Sequence, residues 1–190
     1  LEGQRVAIDK SQAVIEFNLD GTIRHANENF LATMGYSLGE IKGQHHRIFI
    51  GASEREGADY RAFWEQLGRG EYAAGQYRRL AKGGREVWIQ ASYNPILDAM
   101  GRPYKIIKFA TDITASFKGK QLEEAVKETG QVVALAMASD LTGRVSLDGK
   151  TGDVASLCEG INNLLDTLAG VISAVRGIAN RIDGSSLRVT

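Results

Sequence analysis

The sequence predicts an α+β head, a five-stranded antiparallel sheet with helices inserted after its second strand. It is followed by an all-α tail that builds a parallel four-helix bundle by dimerisation. Three observations predict this. Short runs up to residue 114 alternate apolar and polar side chains, the period of a half-buried strand. From residue 154 the apolar residues recur at alternating steps of three and four, the period of a helix seam. Between the two the composition breaks: both prolines, both tryptophans and all six tyrosines occur by residue 104, and Phe117 is the one aromatic after Ser116. The chain of 190 residues is long enough for two such units, and 23 basic against 23 acidic residues leave a formal net charge of zero. That balance gives no electrostatic case for nucleic acid or an anionic membrane as partner. The lone cysteine, Cys158, excludes an internal disulfide and suits a reducing cytoplasm. No apolar run of ~18 residues offers a membrane span, and no signal peptide opens the chain. The abrupt termini read as cut ends of a longer protein.

The head can be taken element by element. "AVIEFNLDG" (13–21) is a strand ending in an Asp-Gly turn, and "TIRHAN" (22–27) is its short neighbour. Asn27 can cap the helix "ENFLATMGY", which stops near Gly35. Short helical turns follow over 37–50. "DYRAFWEQLGRG" is an amphipathic helix with Phe63 and Leu67 on one face and a glycine stop at Gly68 or Gly70. The runs "EYAAGQYRRLA", "REVWIQASYNPILD" and "PYKIIKFATDIT" are three further strands, joined by the turns "KGG" and "AMGR".

In the tail, Val154, Leu157, Ile161, Leu164, Leu168, Val171, Val175, Ile178 and Ile182 form the heptad seam, with a second row at Cys158, Leu165, Ile172 and Ala179. Two rows widen the stripe beyond a two-stranded zipper, towards about four helices. An earlier helix, 118–139, carries Leu122, Val126, Thr129, Val133 and Ala136 on one stripe and is the natural partner. The connector "DLTGRVSLDGKTGDV" is too long for a hairpin turn, which usually takes about 2–8 residues. It can run back along a helix, which allows the two helices to be parallel. A homodimer is the economical way to bury the whole stripe; a two-helix hairpin lying on the head is the alternative.

The stretch 13–114 resembles a PAS domain, through "NLDGTIRHANENFLATMGYSLGEIKGQ" and then "FWEQLGRGEYAAGQYRRLAKGGREVWIQASYNPILDAMGRPYKIIKFATDIT". The closing Asp112-Ile113-Thr114 is similar to the family's "DIT" step from sheet to output helix. "SDLTGRVSLDGKTGDVASLCEGINNLLDTL" resembles a HAMP unit, a parallel four-helix dimer that passes conformational signals. Asp153 falls where that family starts its second helix with an acid, and Asn162 matches its aliphatic-then-Asn step. The resemblance implies an N-terminal cap segment (1–12), a PAS sensor (13–114), a linker helix (115–128), a HAMP unit (129–183) and a tail (184–190). It also implies a signal relay through Asp112, Ile113, Thr114, Asp153 and Asn162. PAS followed by HAMP is similar to cytoplasmic bacterial chemoreceptors of the aerotaxis and biofilm-dispersal types. Such receptors act as homodimers and meet a chemotaxis kinase and adaptor through a C-terminal part that this chain does not contain. The regulatory part of a sensor kinase or nucleotide cyclase is the alternative, as is a PAS domain kept only for dimerisation.

The adjacent His45 and His46 in "GQHHRIFI" fall on the short helices that wall a PAS cavity in this resemblance. The implied cofactor-binding residues are Asn27, His45, His46, Trp64, Trp88 and Phe109, with FAD the first candidate and haem, on His45 or His46, the second. No cofactor, or an unidentified small ligand, is the remaining reading, in which a half-buried histidine simply hydrogen-bonds the backbone beside Trp64. Asn27, His46 and Trp64 match flavin-lining positions, while Arg79 and Ala73 depart from them. Light-oxygen-voltage domains place a reactive cysteine where this chain has His46, so no cysteinyl adduct can form here. The aromatics Trp64, Trp88, Tyr77, Tyr93 and Phe109 read first as core. Nothing in the sequence supplies a four-ligand zinc set, a phosphate loop or a Ser-His-Asp arrangement, so an enzyme is not expected.

Overall fold

The structure, a computed structural model, describes residues 2–186. It divides at Ala115/Ser116 into two units. The first opens with helix α1 (Glu2–Ser11), where only a cap segment was expected. Strands β1 (Ala13–Phe17) and β2 (Ile23–Ala26) follow, then α2 (Glu28–Met34), α3 (Leu38–Ile41), a 3₁₀ turn (His46–Phe49), α4 (Ala52–Arg55) and α5 (Ala58–Gly68). Strands β3 (Ala73–Leu80), β4 (Glu86–Leu97) and β5 (Pro103–Asp112) complete an antiparallel sheet of order β2-β1-β5-β4-β3. The sheet has the predicted five strands with helices inserted after the second. Asn27 caps α2 by accepting from the Phe30 amide, and Gly35 closes it in the left-handed conformation that glycine adopts without strain.

The strand period of two sorts the side chains. Ile15, Phe17, Val87, Ile89, Ala91, Tyr93, Ile106 and Ala110 face inward and form the core with Phe30, Met34, Phe49, Trp64 and Leu67. Lys108 shares that inward phase, opposite Tyr93 in the β4–β5 register. The other face carries Val14, Glu16, Ile107 and Phe109, which line a groove with Ile8 and Asp9 of α1.

The second unit contains most of α6 (Thr114–Met137), a connector, and α7 (Gly152–Ser186). The connector runs back along both helices. Gln121 donates to the Gly149 carbonyl, Glu128 accepts from Ser146 N at 3.0 Å and from Lys150 Nζ at 3.0 Å, and Val145 meets Asn162. Ascending positions of α6 and of α7 therefore meet descending positions of the connector, so α6 and α7 run parallel within the chain. Their shared core is Ala125, Val132, Val145, Cys158 and Leu165. Cys158 and Leu165 of the second row are buried in that core and Val154 and Ile161 of the longer seam pack against it, whereas Ile172 of the second row is exposed. Leu157, Leu164, Leu168, Val171, Val175 and Ile178 are exposed, as are Leu122, Val126 and Val133 of α6. Of the predicted seam and tail, the Ile182 side chain and residues 187–190 lie outside the described residues.

Candidate functional site

His45 is extended backbone laid beside the β1–β2 turn, and His46 opens the 3₁₀ turn that follows. Ile23 N donates to the Gln44 carbonyl at 2.8 Å and His46 N to the Gly21 carbonyl at 2.9 Å. At this step from extended chain into the turn, His46 is buried in the core and His45 faces outward. The β1–β2 turn needs Gly21: its φ is +85°, and a Cβ there would lie 2.7 Å from His45 Nε2.

His46 is 0% exposed. Its ring stacks on Tyr60 (5.9 Å, 13°) and meets Phe17, Trp64, Tyr93 and Phe49 edge-on at 5.4–6.1 Å. Nδ1 is 3.0 Å from the Tyr60 hydroxyl and Nε2 is 3.1 Å from the Tyr93 hydroxyl, which also accepts from Arg79 Nη2 at 3.2 Å. One proton arrangement uses every donor: Arg79 to Tyr93, Tyr93 to Nε2, and Nδ1–H to Tyr60. His46 is then a neutral imidazole. Burial, then the Lys108 and Arg79 charges, hold its pKa well below the ordinary value. An unfolded chain binds a proton at this residue below about pH 6.5 and the folded one does not. Stability is therefore full above that pH and falls as pH drops through it, by up to about 1.4 kcal/mol per pH unit. Urea denaturation at pH 7.5, 6.5 and 5.5 will show this slope, and His46→Gln will make it shallower, His45 and Lys108 supplying the remainder.

His45 is half-buried and lines a 310 Å³ cleft with Asp20, Tyr60 and Trp64. Its Nδ1 accepts from the Arg47 amide at 3.1 Å, which starts the 3₁₀ turn. Burial, with Arg47, lowers its pKa as well. The structure brings His45, His46 and Trp64 together and separates the other predicted cofactor residues from them. Asn27 holds β1, α1 and α2: its Oδ1 accepts from Val14 N and Phe30 N, and its Nδ2 donates to the Gln12 carbonyl. Asn27 and Phe109 line the groove under α1, on the opposite face of the sheet. Trp88 also faces outward, and its indole donates to Glu86 at 2.9 Å.

Neither a flavin nor a haem held by His46 fits this packing. Both ring nitrogens of His46 are engaged, so it has none left for haem iron. Phe17 lies 5.4–6.5 Å, ring centre to ring centre, from His46, Trp64 and Tyr93, which leaves no slot for a flavin without displacing a ring. Open clefts flank this cluster: Phe17, His46 and Tyr93 line none of three clefts found among the described residues of the domain. Among the described residues no group of three or more His, Cys, Asp or Glu could hold a metal.

The residues of the expected relay fall at two joints. At the first, Asp112 Oδ1 accepts from Thr114 N at 2.8 Å, Thr114 Oγ1 accepts from Trp88 N at 2.9 Å, and Ile113 N donates to the Trp88 carbonyl at 2.8 Å. The first turn of α6 is thus bonded to β4 and β5. At the second, Asn162 both accepts from Val145 N and donates to Val145 O, each at 2.9 Å, and pins the connector to α7. Asp153 lies exposed in the first turn of α7, where a carboxylate favours the helix dipole. Asn162→Ala leaves two half-buried backbone groups unpaired and will destabilise the tail by about 1–3 kcal/mol, measured by urea denaturation followed by helix signal.

Sequence reasoning did not find Tyr60 or Lys108, and it read Tyr93 only as core. The signal for Lys108 was available: it occupies an inward phase of "IIKFA".

Residues 23–110 match the family model described as PAS fold. Over 117 residues the chain is 47% identical to the biofilm dispersion protein BdlA of Pseudomonas aeruginosa, a match over 62% of this chain and 28% of that protein. Over 80 residues it is 30% identical to the aerotaxis receptor of Escherichia coli, over 42% of this chain and 16% of the receptor. The chain therefore spans less than a third of the length of either curated relative. Among solved structures, it is similar to a PAS domain from Colwellia psychrerythraea (TM-score 0.53, 21% identity, 60% of this chain and 96% of that one). It is also similar to a light-oxygen-voltage domain solved with a flavin analogue (TM-score 0.52, 19% identity, 67% and 96%). At such identities the likeness is one of fold.

Proposed function

We propose, for a chain whose residues 23–110 are a PAS domain, a role as the sensing and relay module of a bacterial chemoreceptor. In this reading the PAS domain detects a small molecule. The tail pairs with a second copy as a HAMP-type parallel four-helix bundle, and the receptor passes the signal to a chemotaxis kinase and adaptor.

The single observation that carries the reading is the exposed apolar seam. Parallel α6 and α7 leave Leu122, Val126, Leu157, Leu164, Leu168 and Val171 facing out of one chain. A contiguous stripe of this length is not left in water by a monomer. A second copy presents the same stripe and closes it with two-fold symmetry. The similarity to a biofilm dispersion protein and an aerotaxis receptor supports the signalling role. Among the described residues no helix is long and apolar enough to cross a membrane. The relay would begin at the Trp88–Thr114 joint, where a shift of β4 against β5 moves the first turn of α6. A packed bundle answers such a push by changing between two packings rather than by bending smoothly.

Light scattering at tens of micromolar tests the reading. A particle of twice the chain mass of 20.6 kDa is expected, and a monomer would end the relay mechanism. An absorption spectrum of the same sample is expected to lack haem and flavin bands.

A further inference from the structure

The cleft between α5 and β3 is lined by a buried arginine with one unpartnered nitrogen. Arg79 is 7% exposed and lines the cleft. Its Nη1 donates to the Arg78 carbonyl at 2.7 Å and its Nη2 to Tyr93, but its Nε is buried with no partner. On the far side of Tyr93, Lys108 is 1% exposed, with Nζ 4.8 Å from the Tyr93 ring centre and 5.7 Å from that of Phe30. Among the described residues of this domain the buried polar or charged ones are His46, Arg79 and Lys108, all of them bases, with no buried carboxylate among them. Of the three, the Arg79 guanidinium keeps its charge at every ordinary pH, and a cation held out of water without an anion is costly. A site of this kind is completed by an anion from outside.

The cleft, of 440 Å³, also fixes the shape and charge of that anion. Its walls are Ile50, Tyr60, Phe63 and Tyr77, which suit an apolar body. Its rim carries Glu54 and Asp59. Glu54 is bonded to Arg78 at 3.0 Å, whereas Asp59 has no ion pair among the described residues. A rim acid repels a dianion more than a monoanion. We propose that this cleft binds a small monocarboxylic acid, whose carboxylate is received by the Arg79 guanidinium and whose apolar body lies between Phe63 and Tyr77. The proposal rests on the sensory reading and gives it a ligand class.

Calorimetry on the 190-residue chain tests it without any variant. Acetate, isovalerate, benzoate and phenylacetate are each titrated against the matching neutral amide, with inorganic phosphate as the multiply charged arm. At least one acid is expected to bind about tenfold or more tighter than its amide, because only the acid makes a charge-assisted pair. Phosphate is expected to bind more weakly than that acid. Arg79→Gln is expected to abolish the acid-over-amide preference while the circular dichroism spectrum stays that of the parent. Equal binding of every acid and amide, no binding of any acid below about 10 mM, phosphate binding tighter than every acid, or a preference that survives Arg79→Gln would each overturn the proposal. Light scattering on the same samples separates the two claims. A dimer without acid preference removes the anion site alone, and a monomer with acid preference removes the relay alone.

Discussion

Leu164→Glu combined with Val171→Glu will convert the proposed dimer to a monomer while leaving the PAS domain folded. In a single chain these residues are 61% and 57% exposed, so neither holds the chain's own helices together. The helices are held by Ala125, Val132, Cys158 and Leu165, on a different row of α7. In a dimer the seam becomes interior. Removing a buried leucine there costs about 2–5 kcal/mol, and placing a carboxylate in the gap costs more. Each substitution acts twice in a symmetric pair. The expected weakening of association is at least about 10³-fold, which carries tens of micromolar chain from dimer to monomer. Asn163→Glu, on the outward face of the same helix, is the control and will leave the dimer intact. Sedimentation of the three proteins, with near-ultraviolet dichroism to follow the tryptophans of the PAS domain, checks the result. A double variant that stays dimeric would place the contact on some other face.

The second large effect is at Lys108. Lys108→Met will stabilise the PAS domain at neutral pH, by about 1–4 kcal/mol if it behaves as replacements of buried charge by apolar groups of similar size do. The ammonium is fully buried, and its neighbours are two aromatic faces and the positive Arg79. Burial, and then Arg79, push its pKa well below the ordinary lysine value. Between that lowered value and about pH 10.4 the unfolded chain binds a proton that the folded chain does not. Stability of the parent therefore rises with pH across this window, by up to about 1.4 kcal/mol per pH unit, and the cost is complete below the folded value. The window is read below about pH 10, since the burial-raised pKa values of Tyr60, Tyr77 and Tyr93 add the opposite slope above it. Urea denaturation from pH 7 to 9.5 checks both halves: the parent gains stability and Lys108→Met does not. A large loss of stability in the variant would mean that the ammonium has a native counter-charge. Should the variant also weaken carboxylate binding, the domain is spending stability on a charge that its ligand uses.

The head was legible because each strand obeys one local rule. Ile15 and Phe17, or Ile89, Ala91 and Tyr93, alternate with polar neighbours, and that period survives without knowledge of any partner. Helix α1 was not legible: "EGQRVAIDKS" has a short apolar stripe that makes sense only against the outer face of a sheet. The tail was half legible. Both apolar rows of α7 stand out in the sequence, but their roles do not. Cys158, Leu165, Val154 and Ile161 meet α6 of their own chain while Leu157, Leu164, Leu168 and Ile172 are left outside, and a periodicity cannot tell an internal neighbour from a copy. The site was the least legible part. His46 finds its partners 14 and 47 residues away, so nothing near "HHR" announces them. Resemblance grouped Asn27 and Phe109 with His46, yet the pleat puts them on the opposite face of the sheet, and a one-dimensional match carries no face. Lys105 and Lys108 look alike in "PYKIIKFATD", but Lys105 reaches Glu16 at 2.9 Å on the outer side whereas Lys108 is inside. Only the register distinguishes them.

The most direct test of the account is a disulfide scan of the seam in a Cys158→Ala background, with cysteine placed in turn at Leu164, Val171 and Asn163. In a parallel two-fold pair each seam residue lies near its own copy, within reach of a disulfide. Mild oxidation is predicted to give a covalent dimer at 164 and at 171 and almost none at 163. Equal, slow cross-linking at all three positions, from a protein that light scattering finds monomeric, would contradict the account.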